Sequence, residues 1–294
     1  MNRDIVRRAF LGAAVGDALG VPYEFESREK MKRKPCTGMR GGGSHLMPKG
    51  TWSDDTSMLL ATADGICDGI GAITKNYMKW LTLGFYAPGH FVFDVGATTR
   101  RAIMRSPFTH PSGLTDERNN GNGSLMRILP AAFYLLDEEN EDTRRTLVYD
   151  ISAITHAHII SKEGCFLYVE LARHMLKGET PLESYQNTCK SPVEAYKRYS
   201  EGNLNELSED DISSSGYVVD TLEAAVWCLL TSSSYSETVL KAVNLGRDTD
   251  TVACVAGGLA GIIYDIPLKW KMQLRNRKLI NKVADRMLMG MKDK

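Results

Sequence analysis

The sequence lacks the features that mark three broad classes of protein. Its six cysteines are scattered and form no CxxC pair, which argues against structural zinc and against a disulfide framework. Its 36 basic and 36 acidic side chains leave no formal net charge, which argues against a general nucleic-acid binder. No apolar run approaches the length that crosses a bilayer. We therefore expect a cytoplasmic protein with no nucleic-acid or membrane partner.

Several architectural patterns are also missing from the 294 residues. There is no convincing series of strands and no repeat of fixed period, and without a heptad seam we expect a monomer. What remains is helical periodicity with short connections, which predicts an all-α fold in a single domain, 1–294. The expected helices are 2–18, 56–68, 74–85, 94–105, 142–155, 161–177, 181–188, 192–199, 217–230, 235–244 and 277–291, and 27–51 is expected to be a long mobile loop.

An acidic turn near the end of the chain carries the strongest functional signal. Residues 248–251 are Asp-Thr-Asp-Thr, and mostly small residues follow as far as Gly261. Residues two apart in an extended or turning backbone point to the same side. Asp248 and Asp250 can therefore aim at one point, with Thr251 close by. A helix cap accounts for one such residue, whereas four stand here.

A second acidic turn lies far upstream, where Ser53, Asp54, Asp55 and Thr56 precede a helix-like run. Alone, this turn is best interpreted as a helix N-cap. Oxygen-only ligands suit hard dications such as Mg²⁺ or Mn²⁺, and four neighbouring carboxylates repel one another unless cations are bound. Their charge balances about two divalent ions. Together the two turns offer six oxygen ligands: Ser53, Asp54, Asp55, Asp248, Asp250 and Thr251.

Three other positions carry weaker signals. The Gly/Asn turn at 119–127, ahead of a helix expected to reach about 136, can present backbone N–H groups to an anion, although a plain turn is the favoured interpretation. His156 and His158 do not complete a metal site by themselves. Tyr217 begins an apolar helix, where stacking on a flat ring and ordinary core packing are equally compatible with the pattern.

Taken together, these patterns resemble the ADP-ribosylglycohydrolases. They follow the family's order and cover nearly the whole chain. The matching segments are 12–20 with Glu24, 52–58, 120–127, 155–156, 216–221 and 246–251. Ser53 stands where many members have threonine, which keeps the hydroxyl, and Arg247 stands where many have glycine.

The resemblance implies an all-α fold whose cleft ends at a centre of two Mg²⁺ or Mn²⁺ ions. It also implies an enzyme that removes ADP-ribose from mono-ADP-ribosylated protein side chains, mainly from arginine N-glycosidic linkages. The six oxygen ligands of the two acidic turns would hold the metals, and Glu24 would lie over the cleft. The implied contacts to ADP-ribose are Asn122, Gly123, Ser124, Met126, His156, Gly216, Tyr217 and Arg247.

Breaking the bond at ribose C1 builds positive charge on the sugar, so nearby carboxylates and protonation of the leaving group assist the reaction. We expect Asp54, Asp55 and Glu24 to be catalytic, and the sequence leaves open which of the two aspartates moves the proton. One alternative is hydrolysis of serine-linked or O-acetyl ADP-ribose. Others are a non-catalytic ADP-ribose-binding module, a blocker of a partner ADP-ribosyltransferase, and a dimetal phosphohydrolase. The intact ligand set argues against a binding module, since a reader of ADP-ribose needs no dications.

Overall fold

The computed structural model describes residues 2–109 and 111–292, and within them the chain forms α-helices and short 3₁₀ helices with no β-sheet. The predicted all-α fold is thus confirmed. The α-helices are α1 (Arg3–Gly20), α2 (Arg28–Arg33), α3 (Asp54–Gly65), α4 (Ile70–Leu83), α5 (Ala97–Arg105), α6 (Leu129–Tyr134), α7 (Glu141–Ala153), α8 (Ile159–Leu176), α9 (Pro181–Thr188), α10 (Val218–Leu230), α11 (Tyr235–Asn244), α12 (Thr249–Ile263), α13 (Leu268–Gln273) and α14 (Arg277–Lys292).

The centre of the fold is the pair α1 and α12, which pack backbone against backbone. A Cβ atom added to Gly16 would lie 1.9 Å from the carbonyl oxygen of Ala253, and one added to Gly12 would lie 2.3 Å from that of Gly257. Such distances leave no room for a side chain, so the small residues of both helices are what permits this contact. Helices α3, α11 and α14 pack on α1, and α10 and α11 pack on α12.

Three helix ends meet beside this pair and position the acidic turns. The N-termini of α3 and α12 lie next to the C-terminal end of α1, where a Cβ on Gly20 would lie 2.3 Å from Cα of Asp250. Thr249 Oγ1 donates a hydrogen bond of 2.8 Å to the carbonyl oxygen of Gly20. Because helix N-termini carry partial positive charge, they favour carboxylates at this point.

Most predicted helices are present, and the differences have local causes. The expected loop 27–51 contains α2, which is capped by Ser27 through a 3.2 Å hydrogen bond from the backbone N–H of Lys30. The helix expected to follow the Gly/Asn turn is split into a 3₁₀ helix, Asn122–Arg127, and α6. Pro130 lies in the first turn of α6, where its missing N–H favours a new helix start.

Two further differences concern the extent of predicted helices. The segment expected as one helix at 192–199 forms two 3₁₀ helices, Glu194–Tyr196 and Tyr199–Glu201, and α5 begins at Ala97. Across the described part of the chain, no helix combines the length and the apolar character needed to cross a membrane.

Candidate active site

Asp17, near the end of α1, fixes the start of α3. Its Oδ1 accepts a 2.9 Å hydrogen bond from the backbone N–H of Ser53. Its Oδ2 accepts bonds of 3.1 Å and 2.6 Å from the N–H and the hydroxyl of Thr56. Burial raises the pKa of Asp17 to about 7, although the hydrogen bonds from Thr56 and Ser53 oppose the shift. The carboxylate of Asp17 thus holds the turn that carries Asp54 and Asp55.

Asp55 lies beneath the surface, where two hydroxyls bind one of its oxygens. Ser53 Oγ donates to Asp55 Oδ2 at 2.9 Å, and Thr251 Oγ1 donates to the same oxygen at 3.4 Å. Asp55 Oδ1 is buried and has no hydrogen-bond partner among the described residues. The structure therefore brings Ser53, Asp55 and Thr251 together, as the sequence predicts.

The other acidic turn reaches the same point from α12. Asp248 is the N-cap residue of α12, and Asp250 lies in its first turn, so a helix start rather than an extended backbone orients them. Oxygens of Asp250, Asp55 and Asp17 lie within 4.8 Å of one another, and so do oxygens of Asp250, Asp248 and Glu24. Asp250 joins the two groups.

The donor chemistry of this cluster fits divalent metal ions. Two buried oxygens, Asp55 Oδ1 and Asp250 Oδ2, have no hydrogen-bond partner in the described chain. Burial, and after it the charge of neighbouring carboxylates, raises the pKa values of Asp54, Asp55 and Asp250 well above the ordinary range. A cation among these oxygens would lower those pKa values again. Clustered carboxylate oxygens are the ligands that Mg²⁺ and Mn²⁺ prefer.

A cleft of about 430 Å³ opens above the carboxylates. Its size is that of a pocket for a small molecule. One part of its lining is acidic, with Glu24, Asp54, Asp94 and Asp248, and another is neutral. The neutral part includes Gly121, Asn122, Gly123, Met126, His156 and Gly216.

Asn122 connects the neutral wall to the acidic centre. Its Nδ2 donates bonds of 2.8 Å to Asp248 Oδ2 and 2.9 Å to Thr221 Oγ1. The neighbouring Gly123 keeps the cleft open, because a Cβ there would lie 2.8 Å from Thr99 Oγ1 and 2.9 Å from His156 Cε1. A side chain at position 123 would have to displace one of these walls.

His156 is a neutral polar group in the wall. It is almost fully buried, and its Nδ1 lies 2.8 Å from Thr155 Oγ1. Burial, together with the nearby positive charge of Arg127, lowers the pKa of His156 to about 3. The imidazole therefore remains uncharged at neutral pH and can contact a ligand through hydrogen bonds or its ring face.

Two residues that the sequence interpretation missed, His45 and Asp94, lie against Glu24. His45 Nε2 contacts the Glu24 carboxylate and lies 3.8 Å from Asp94 Oδ1. Burial raises the pKa of Glu24 to about 10, with further contributions from Asp94 and Asp248. His45 stands in 27–51, which the sequence predicts to be a mobile loop, and Asp94 stands alone in a connection. Neither has a local motif that predicts its position.

Three predicted substrate contacts do not line the cleft. Ser124 is fully buried, and its hydroxyl accepts bonds from Ser152 and the Cys165 thiol. Tyr217 is 38% exposed and lies outside the residues that line the cavity. Arg247 lines a neighbouring cavity of about 520 Å³, which shares Phe25 with the cleft.

Known proteins resemble this chain over nearly its whole length. The family model described as ADP-ribosylglycohydrolase matches residues 2–294. The ADP-ribosylarginine hydrolase Tri1 of Pseudomonas putida (strain GB-1) is 32% identical over 291 residues, which are 96% of this chain and 77% of the relative. The ADP-ribosyl-[dinitrogen reductase] glycohydrolase of Rhodospirillum rubrum is 30% identical over 295 residues, 95% of this chain and 94% of the relative. A solved structure of an ADP-ribosylglycohydrolase-related protein complex superposes with a TM-score of 0.81 at 31% identity, covering 98% of both chains.

Proposed function

The chain belongs to the ADP-ribosylglycohydrolase family, and we propose that it removes ADP-ribose from arginine side chains of mono-ADP-ribosylated proteins. The observation that carries the proposal is a cleft of about 430 Å³ lined by Glu24, Asp54, Asp94 and Asp248, next to buried carboxylates. One oxygen of Asp55 and one of Asp250 have no hydrogen-bond partner in the described chain. The choice of an arginine linkage is supported by the Pseudomonas putida relative, which is called an ADP-ribosylarginine hydrolase.

The metal centre of this proposal contains two Mg²⁺ or Mn²⁺ ions. Groups of acidic side chains that could hold a metal ion are present, and Asp250 belongs to two of them. When bound, such ions neutralise carboxylate charge, orient ribose hydroxyls and make nearby water more acidic. The proposed ligands are Ser53, Asp54, Asp55, Asp248, Asp250 and Thr251.

The neutral wall would hold the nucleotide part of the substrate. Asn122 is already oriented by its bonds to Asp248 and Thr221, so its position against the acidic centre is fixed before a ligand binds. Gly123 leaves the room for close approach, and His156 offers an uncharged ring. Met126 and Gly216 complete this wall. Ser124, Tyr217 and Arg247 remain predicted contacts, and each would have to reach the substrate from outside the present cleft lining.

The geometry favours Asp54 over Asp55 for moving the proton. Asp54 lines the cleft, whereas Asp55 lies below it and already accepts hydrogen bonds from Ser53 and Thr251 on one oxygen. A general base must reach the group from which it takes a proton. We therefore assign proton transfer to Asp54, in addition to its proposed place among the metal ligands, and metal binding alone to Asp55.

Glu24 is placed to act on the leaving group. It lines the same cleft as Asp54 and lies beside the proposed metal ligands Asp248 and Asp250. A protonated carboxyl can donate to the departing nitrogen, while ionised carboxylates stabilise the positive charge that develops at ribose C1.

The test compares linkages on otherwise matched substrates. Purified protein is incubated with one peptide ADP-ribosylated on arginine and another ADP-ribosylated on serine, and released ADP-ribose is measured by chromatography. We expect release from the arginine-linked peptide. Release from the serine-linked peptide alone would overturn the arginine assignment. Release of nucleoside monophosphate would indicate a phosphohydrolase instead, and binding of ADP-ribose without release from either peptide would indicate a binding module.

Three broader expectations belong to the same proposal. The described hydrophobic side chains form one continuous core, which supports a single domain. Cys36, Cys165, Cys189, Cys228 and Cys254 form no disulfide in the described chain, which agrees with a cytoplasmic location. The monomeric state stays a prediction.

A further inference from the structure

The cleft is too small for the protein that carries the modification. A cavity of about 430 Å³ accommodates a small molecule. If the proposed function holds, the modified side chain enters while the rest of its carrier remains outside, against the rim. The residues around the cleft mouth must then contact the polypeptide next to the modified arginine.

One side of the mouth carries a connected series of apolar and aromatic side chains. Ring centroids of Phe25 and His45 lie 6.1 Å apart, those of His45 and Phe93 lie 5.2 Å apart, and Phe93 stacks on Phe91 at 6.3 Å. Phe25 also lines the cleft, so this series runs from the cleft to the outer surface. With Leu46, which follows His45, we call these five residues the apolar rim.

The apolar rim is unusually exposed for side chains of this kind. Phe25 is 73% exposed, Leu46 83% and Phe91 61%. Single exposed apolar residues are common, but a connected group beside a ligand cleft is typical of an interaction surface. An apolar contact with a partner would remove these side chains from water.

The backbone is strained at two residues of the apolar rim and at a neighbour. Phe25 and Leu46 have φ values of 67° and 54°, and Asp94, which follows Phe93, has 59°, a region that residues with side chains rarely adopt. Strained residues of this kind concentrate at functional sites. The conformation of Leu46 is fixed by its loop, since Leu46 N–H donates to Gly43 O at 3.2 Å and Gly42 N–H donates to Met47 O at 2.8 Å.

The loop that carries Leu46 also contacts the backbone of the active-site segment at Pro22 and Glu24. Ser44 Oγ donates a 2.5 Å hydrogen bond to the carbonyl oxygen of Glu24, and a Cβ on Gly43 would lie 1.9 Å from the carbonyl oxygen of Pro22. The part of the apolar rim that carries His45 and Leu46 is therefore built into the fold before any partner binds, which lowers the entropic cost of association.

We propose that the apolar rim is the docking surface for the carrier protein and contacts an apolar side chain next to the modified arginine. This assignment rests on the proposed function. It names a specificity that the cleft cannot supply, because the cleft contacts only the ADP-ribosyl group and its linkage.

The test uses two synthetic peptides that each carry one arginine-linked ADP-ribose. One has glycine and serine on both sides of the arginine, and the other has leucine and tryptophan at those positions. We expect the wild-type protein to hydrolyse the apolar peptide with a kcat/KM about tenfold higher, mainly through a lower KM, which is the ratio expected when roughly one aliphatic side chain leaves water.

The variant Leu46→Asn combined with Phe91→Ser removes the outer part of the apolar rim without touching the cleft lining. Asparagine tolerates the left-handed backbone of Leu46. We expect the double variant to lose the preference for the apolar peptide and to keep the wild-type rate on the glycine–serine peptide, which also shows that it is folded. Leu268→Ser, at a position that is 68% exposed on α13, is the matched control and should keep the preference.

Three results would overturn the docking assignment. Equal kcat/KM values for the two peptides in the wild-type protein would show that apolar flanks are not recognised. A preference that persists in the double variant would place recognition elsewhere. If the wild-type protein shows no preference and is a dimer that the double variant converts to a monomer, the surface is assigned to a second copy of the chain. Failure of the wild-type protein to release ADP-ribose from either peptide is different, because it contradicts the proposed function itself.

Discussion

At the residue scale, the carboxylates of the site differ in how far the protein satisfies them. Oδ1 of Asp17 accepts a hydrogen bond from Ser53, the N-cap residue of α3, and Oδ2 accepts from Thr56 within α3. In contrast, Asp55 and Asp250 each keep one buried oxygen without a partner in the described chain. An unpartnered buried carboxylate oxygen is costly in a folded protein. Asp17 therefore serves to position the turn, and Asp55 and Asp250 are the residues that we propose to bind a cation.

Asp250→Asn should separate catalysis from folding. The amide keeps the shape of the side chain and removes its charge, so we expect turnover to fall by at least about 100-fold. The unfolding temperature measured in EDTA should not fall, because the substitution removes one of several mutually repelling carboxylates. Release of ADP-ribose and thermal unfolding followed by circular dichroism would check both expectations. Wild-type turnover in this variant would contradict the assigned role of Asp250.

His156 should make the protein less stable in acid. The pKa of His156 is about 3 in the folded protein, against about 6.5 for an unperturbed histidine. Between these values the unfolded state binds the extra proton, so this residue lowers stability as pH falls through that window. The contribution reaches about 1.4 kcal/mol per pH unit. The unfolding free energy of His156→Gln, measured with urea between about pH 6.5 and 4, should change less steeply with pH than that of the wild-type protein, by that amount. An unchanged pH dependence would refute the prediction.

The sequence predicts site residues only where they belong to a local motif. Both acidic turns are contiguous, so Asp54, Asp55, Asp248 and Asp250 can be recognised from spacing and composition. His45 and Asp94 meet Glu24 only through long-range folding, and no neighbouring residue marks them. Ser124 shows the opposite case. It belongs to the motif 120–127, which predicts a substrate contact, but its hydroxyl lies in the 3₁₀ helix Asn122–Arg127 and accepts a hydrogen bond from Ser152.

At the element scale, the contact between α1 and α12 sets the distance between the parts of the site. Asp17 lies on α1 and Asp250 on α12, and the glycines between these helices leave no space for a Cβ atom. A wider separation would move Asp17 and Asp250 apart. The geometry of the carboxylates therefore depends on packing at residues that touch no substrate.

Gly16→Ala tests this dependence. The added methyl group would lie 1.9 Å from a backbone carbonyl oxygen, so the helices must separate, at a cost of about 1–3 kcal/mol in unfolding free energy. We also expect turnover to fall because Asp17 and Asp250 shift. Gly71→Ala on α4 is the matched control, since a Cβ there meets no atom within 4 Å. The control should be neutral or slightly stabilising, and equal effects of the two substitutions in urea unfolding would contradict the account.

Helix prediction succeeded where the apolar periodicity was long, as in α10, α11 and α14. It failed in 27–51, where charged and glycine residues hid the short helix α2, and in 192–199, where two 3₁₀ helices replace one helix. Short helices depend on tertiary contacts for their stability, so a local pattern carries little information about them.

At the scale of the whole molecule, the site joins segments that are far apart in the sequence. Residues of α1, α3 and α12 supply the carboxylates, and 3₁₀ helix Asn122–Arg127 supplies the opposite wall. Cations at this junction would hold α3 and α12 together through bonds that the metal-free protein lacks. Metal binding is therefore expected to stabilise the entire fold.

Thermal unfolding should report this coupling. A ligand that binds only the folded state at 100 times its Kd stabilises it by about 2.7 kcal/mol. We expect saturating Mn²⁺ or Mg²⁺ to raise the unfolding temperature of EDTA-treated protein, and to raise that of Asp250→Asn by clearly less. Calcium-free buffer with NaCl at matched ionic strength controls for screening. An equal rise in both proteins would place the stabilising ion elsewhere.

The most direct measurement of the central claim follows release of ADP-ribose from an arginine-ADP-ribosylated protein by the wild-type chain. The reaction is run in EDTA and again after Mg²⁺ or Mn²⁺ is restored in excess. The account predicts no release in EDTA and recovery with either ion, because the carboxylates of α3 and α12 hold the catalytic metals. Undiminished release in EDTA, after dialysis has removed the bound metal, would contradict it.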